Sequence, residues 1–186
     1  MIKSVCIFCG SSSTEGKKSL YKKDHGQIAK TIGKELALRH IKIIYGGAKV
    51  GLMGLMADKA LSNNGKVIGV AMKSFKSWGV LHNNLSKLIL TNTLQSRKQL
   101  MYEKSDAFIV LPGGIGTIDE VFEVIATNIL TKSNKLLIIL NYERFWDKLL
   151  ELINTNIKQK YSKKEIKNNI KVTTSISEIF AILNKV

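Results

Sequence analysis

Short apolar runs of strand length alternate with segments whose apolar residues recur at helical spacing, and this alternation constrains the fold more than any other property of the chain. Val5 to Cys9 precedes Ile28, Ile32 and Leu36 at helical spacing. Ile43 to Tyr45 precedes Leu52 to Leu61, which stops at Asn63-Asn64-Gly65. Val67 to Ala71 and Leu88 to Leu90 read as strands, Leu94 to Lys104 as a helix, Phe108 to Leu111 as a strand and Ile118 to Leu130 as a helix. A strand at Leu136 to Leu140, a helix from Phe145 to Lys158, a strand at Ile170 to Val172 and a helix from Ser177 to Asn184 complete the pattern. Continuous apolar strands separated by helices are buried on both faces, which predicts an α/β fold: a Rossmann-like open parallel sheet of about seven strands flanked by helices.

The 186 residues, 45% hydrophobic, suffice for one domain over residues 1–186 with a substantial core. No linker, repeat or low-complexity segment interrupts them. Lys158 to Lys167 reads as an exposed connection, and the irregular Lys73 to Ser86 as a lid or interface loop. The longest apolar runs are far too short to span a membrane or to form a signal-peptide core, so a cytoplasmic, membrane-free protein is expected. Cys6 and Cys9 lie in the first strand, where a three-residue offset turns them to opposite faces. With His25, His40 and His82 scattered, no metal-ligand spacing exists, and no metal is expected. The net charge is +15, but only Arg39, Arg97 and Arg144 are arginines. A coat of lysines attracts anions generally without reading bases, so nucleic acid is not the expected partner.

The only proline, Pro112, follows the strand that ends at Leu111 and opens Pro112-Gly113-Gly114-Ile115-Gly116-Thr117-Ile118-Asp119-Glu120, which leads into a helix. Glycines after a buried strand allow a ligand to approach the backbone, and the next helix aims its free N–H groups and positive dipole end at the same place. Phosphate suits such a place. Thr117 and Glu120 also stand at capping-box spacing, with Thr117 as N-cap, but that leaves the second and third glycines unexplained. No Lys-Ser or Lys-Thr closes the run as in a P-loop, and Asp119 stands where a dinucleotide fingerprint needs its third glycine.

In an open parallel sheet, ligands gather beyond the carboxyl ends of the strands. Four segments are expected to converge there: Gly10 to Ser13, Gly46 to Gly54, the Arg97 region and Gly113 to Glu120. The Gly46 to Gly54 turn is equally consistent with helix-to-strand packing and with ligand contact.

These segments resemble the LOG family of cytokinin riboside 5'-monophosphate phosphoribohydrolases, whose relatives are often labelled lysine decarboxylases. The resemblance runs through Phe8-Cys9-Gly10-Ser11-Ser12, Tyr45-Gly46-Gly47, Val50-Gly51-Leu52-Met53-Gly54, Ser96-Arg97-Lys98 and Ser105-Asp106-Ala107-Phe108 into the Pro112 to Glu120 loop, which matches every fixed position of the family's PGGxGTxxE pattern. It implies hydrolysis of the N-glycosidic bond of a nucleoside 5'-monophosphate to free base and ribose 5-phosphate, without an organic cofactor, by a homodimer. It makes Arg97 and Glu120 the catalytic pair. Glu120 also fits on chemical grounds, because a carboxylate stabilises the positive charge that grows on the ribose and can activate water. The expected substrate and phosphate contacts are Gly10, Ser11, Gly46, Gly47, Lys98, Gly113, Gly114, Ile115, Gly116 and Thr117. The chain departs from the family at Leu94-Gln95, where Met-His is common, at Ala48 for a glycine and at Ala126 for a threonine. An acidic residue expected near Gly79 or Val80 is also missing. These departures bear on which base is preferred. The alternative is a carrier that binds a nucleotide or the molybdenum cofactor without hydrolysis; a pyridoxal phosphate site for decarboxylation has no support in the sequence.

Overall fold

The computed structural model describes residues 1–11 and 23–185. The strands are β1 (Ser4–Phe8), β2 (Lys42–Tyr45), β3 (Val67–Met72), β4 (Lys87–Thr91), β5 (Ala107–Val110), β6 (Leu136–Leu140) and β7 (Ile170–Thr173). The helices are α1 (Lys23–Leu38), α2 (Gly51–Leu61), α3 (Leu94–Glu103), α4 (Ile115–Thr131), α5 (Asp147–Lys158) and α6 (Ile176–Leu183). All seven strands join one parallel sheet in the order β4-β3-β2-β1-β5-β6-β7.

The central strands are buried on both faces, as their unbroken Val, Ile and Leu runs require. On one face Val5, Ile7 and Cys9 pack with Ile28, Ile32 and Leu36 of α1, Leu52 and Met56 of α2, and Ile179 and Phe180 of α6. On the other, Cys6 and Phe8 pack with Met101 of α3, Val121 and Val124 of α4, and Leu149 and Ile153 of α5. The two cysteines thus face opposite layers, as their offset predicts. Each fully buried large side chain contributes about 1.5–3 kcal/mol through removal from water. The outer strands differ from the expectation of two buried faces: β4 is only half-buried, and Lys171 and Val172 of β7 are exposed, because each is an edge with one neighbour.

The chain winds outward from β1 through β2 and β3 to β4, then crosses back to place β5 on the other side of β1. That reversal sends the chain after β1 to the sheet face that carries α1 and the chain after β5 to the face that carries α4, and the crevice expected in such sheets lies beyond this switch point. The Lys73 to Ser86 segment opens with a 3-10 turn, Lys73–Lys76, and folds back onto the loop after β2: the Lys49 N–H donates to Val80 O (2.8 Å) and the His82 N–H to Gly47 O (2.9 Å). Further 3-10 turns are Tyr142–Arg144, after β6, and Lys164–Asn169, in the exposed connection before β7. Among the described residues, no helix is long and apolar enough to cross a membrane.

Candidate active site

Gly10 joins three of the expected loops. Its N–H donates to Pro112 O (3.0 Å), and its carbonyl accepts from the Leu52 N–H in the first turn of α2 (3.0 Å). The register that sets Phe8 of β1 beside Val110 of β5 brings these loops level. Gly51 packs against Ser11, which is exposed; Ser12 and Ser13 lie outside the described residues.

The Pro112 loop differs from the capping-box expectation. Helix α4 begins at Ile115, with Gly114 as its extended N-cap, and no side chain caps it. Thr117 is therefore inside the first turn, buried, with its Oγ1 against the α-carbon side of Gly113. The first N–H groups of a helix have no partner within it, so Ile115, Gly116 and Thr117 point theirs out of the crevice end. Gly113 is needed by the fold, because a Cβ there would overlap Thr117 Oγ1. Gly114 and Gly116 are not: a Cβ on either meets nothing within 4 Å, and neither has a left-handed backbone. The missing side chains leave open space over the amides.

Glu120, one helical turn along α4, meets Arg97 of α3. Arg97 Nη1 stands 3.1 Å from Glu120 Oε1, and Arg97 Nε donates to Val70 O of β3 at 3.0 Å. Arg97 is buried, not the exposed helix arginine that its position on a polar segment would otherwise suggest. Burial pushes the Glu120 carboxyl above its ordinary range, and the Arg97 charge and hydrogen bond only partly offset this. Gly46 supports the pair by closeness: a Cβ there would sit 2.5 Å from Arg97 Nη2. Gly47 has a φ of 80°, open to glycine at no steric cost, and packs against Ala71 and Leu88. Tyr45 steadies this loop by donating from its hydroxyl to Ala48 O (3.2 Å).

Lys98, expected among the phosphate contacts, places its ammonium 3.0 Å from Asp119 Oδ1 and 2.9 Å from Glu123 Oε2, both on α4. The capping box that the Pro112 loop lacks is found instead at the start of α3. Thr93 Oγ1 accepts from the Ser96 N–H (3.1 Å) and Ser96 Oγ from the Thr93 N–H (3.3 Å), which fixes the turn that carries Arg97. Leu94 and Gln95 are exposed on that turn, and Ala126 is exposed on α4. Cys6 and Cys9 are unsuited as nucleophiles: burial, then the Glu120 charge, push both thiols well above their ordinary value. Among the described residues, no cluster of three His, Cys, Asp or Glu could hold a metal ion.

A family model described as "Possible lysine decarboxylase" matches residues 53–183. Solved structures agree on the fold. A molybdenum cofactor binding protein from Rippkaea orientalis superposes with a TM-score of 0.72 at 19% identity, covering 98% of this chain and 95% of that one. The molybdenum cofactor carrier protein of Chlamydomonas reinhardtii gives 0.70 at 16% identity, covering 98% and 95%. Sequence relatives are nearer. The cytokinin riboside 5'-monophosphate phosphoribohydrolase of Rhodococcoides fascians is 40% identical over 81% of this chain and 74% of its own length. A probable enzyme of the same name from Oryza sativa subsp. japonica is 35% identical over 97% and 72%. One from Arabidopsis thaliana is 37% identical over 81% and 68%. Identity of this extent, over a stretch that includes Arg97, the Pro112 loop and Glu120, makes the chain a member of the LOG family, to which these phosphoribohydrolases belong.

Proposed function

We propose that this protein is a phosphoribohydrolase that cleaves the N-glycosidic bond of a nucleoside 5'-monophosphate, a cytokinin riboside 5'-monophosphate or AMP, to free base and ribose 5-phosphate. The observation that carries this reading is an uncapped, glycine-lined start to α4 with an ion-paired carboxylate one turn further on. The amides of Ile115, Gly116 and Thr117 receive the 5'-phosphate, with Gly114 and Gly116 leaving room above them and Gly113 letting the loop close on Thr117. Gly10, Ser11, Gly46 and Gly47 form the facing wall.

With the phosphate held there, the ribose lies along α4 towards Glu120. As the bond from C1' to the base nitrogen breaks, its electron pair leaves with the base and positive charge grows on the ring. The ionised Glu120 stabilises that charge and takes a proton from the water whose oxygen bonds to C1', while the departing base nitrogen takes a proton from solvent to leave as the neutral base. Arg97 keeps the carboxylate aimed and ionised, and phosphate binding away from the bond supplies the positioning. The expected dimer finds support in an exposed apolar stripe on α4. Ile115, Phe122 and Ile129 recur every seven residues, with Leu130 beside them, as a face that packs against the same helix of a second copy requires.

The test is incubation of purified protein with AMP and with prenylated AMP, followed by chromatography of the free base. Release of base by the wild type and not by Glu120→Gln supports the reading. Tight nucleotide or pterin binding with no base released would replace it with the carrier.

A further inference from the structure

Arg97 and Lys98 are consecutive on α3, and their partners interleave on α4: Arg97 with Glu120, Lys98 with Asp119 and Glu123. Asp119 and Glu123 are four apart, so they lie one above the other on a single face of the helix, on either side of Glu120. The side chain of Lys98 is only 11% exposed, while those of Asp119 and Glu123 are 46% and 41% exposed. The carboxylates thus cover the ammonium from the solvent side. Two negative charges already face this one positive charge, and a phosphate dianion arriving at Lys98 would have to displace them. The amides at the start of α4 present no such obstacle.

We propose that Lys98 is a positioning residue that clamps α3 to α4 through Asp119 and Glu123 and so sets Glu120 against Arg97, taking no part in gripping the phosphate. The proposal rests on the phosphoribohydrolase reading for its catalytic consequence, but the clamp itself does not. Helices joined at their exposed rim by flexible side chains gain little stability from it. Their relative placement, by contrast, decides where Glu120 stands, and an error near 1 Å in such a group costs about 10²-fold in rate. Lys98 also contributes to the charge around Glu120, alongside Arg97 of α3 and Asp119 of α4, with Cys6 and Cys9 on the sheet side.

The experiment compares wild type, Lys98→Met and Lys98→Arg by kcat and KM for AMP, by calorimetric affinity for ribose 5-phosphate, and by carbon-13 NMR titration of the Glu120 carboxyl. The clamp predicts that Lys98→Met lowers kcat about 10²-fold, leaves KM and ribose 5-phosphate affinity unchanged, and moves the Glu120 titration to higher pH. Lys98→Arg should recover much of the kcat. Loss of ribose 5-phosphate affinity, or a raised KM with kcat intact, would overturn the proposal and make Lys98 a phosphate ligand. If the wild type cleaves no nucleotide, the phosphoribohydrolase reading fails separately. The binding and titration arms then still decide the role of Lys98: unchanged affinity with a shifted Glu120 titration supports the clamp, and any other result overturns it.

Discussion

Arg97 Nη1 lies 3.1 Å from Glu120 Oε1, with each side chain about one-tenth exposed, and this contact ties the helix after β4 to the helix after β5. An ion pair withdrawn from water is costly to break from one side only. The two sides are unequal, because a carboxyl left alone can take up a proton, whereas a guanidinium cannot lose one. Glu120→Ala should therefore destabilise the fold by about 3 kcal/mol, and Arg97→Ala by less at mildly acidic pH. Urea unfolding of both variants at pH 5.5 checks the order. In turnover assays, Glu120→Gln, which keeps the shape, should lose about 10²- to 10⁴-fold in kcat.

The pH dependence follows from burial. Glu120 titrates above its ordinary range, first because it is desolvated and despite Arg97. A carboxyl whose folded pKa is raised contributes stability that is fully present below the unfolded pKa and is lost as pH rises through the folded one. Wild type should therefore lose stability relative to Glu120→Gln across that window. The acid limb of kcat/KM should sit above the ordinary glutamate range, since Glu120 must be ionised to act, and Arg97→Lys should move the limb, because a lysine lacks the fork that holds Val70 O and Glu120 at once. A limb at the ordinary glutamate position would contradict the burial.

The three glycines of the Pro112 loop make separable predictions. Gly116→Ala should raise stability by about 0.5–1 kcal/mol, because alanine suits a helix better and meets no neighbour. Gly114→Ala should cost about 0.5–1 kcal/mol, because alanine is a poorer N-cap than glycine. Both should nonetheless weaken binding of AMP and ribose 5-phosphate, measured by calorimetry, by filling the space above the amides. Gly113→Ala should cost about 1–3 kcal/mol, because its Cβ collides with Thr117.

If α4 packs against its counterpart in a second copy, a charge on its apolar stripe should prevent assembly. Phe122→Glu and Ile129→Glu should each shift the mass measured by light scattering from dimer to monomer. A wild type that is already monomeric would remove the dimer from the account.

The sheet was legible because its strands are dense in Val, Ile and Leu and are bounded by glycines and helical patterns. What marked the edges as half-exposed was not, since an edge depends on strand order, which apolar runs do not encode. The loops at the crevice were legible from Gly10, Gly46 and Pro112, each just after a strand. The start of α4 was not. Thr117 and Glu120 have capping spacing, yet the helix begins at Ile115 because Gly114 takes the extended N-cap conformation and leaves the end open. The box at Thr93 and Ser96 was hidden by a serine in the place where Glu or Gln is the usual signal. The Lys98 clamp joins positions 21 and 25 residues apart on different helices, a contact that only packing reveals.

The most direct measurement gives wild-type protein AMP and adenosine side by side and follows adenine and ribose 5-phosphate by chromatography. AMP should give adenine and ribose 5-phosphate in equal amounts, or prenylated AMP should give prenylated adenine and ribose 5-phosphate in equal amounts, and adenosine should give no base, because it lacks the group that docks on α4. Cleavage of the nucleoside as fast as its 5'-monophosphate, or no cleavage of either monophosphate, would contradict the phosphoribohydrolase reading.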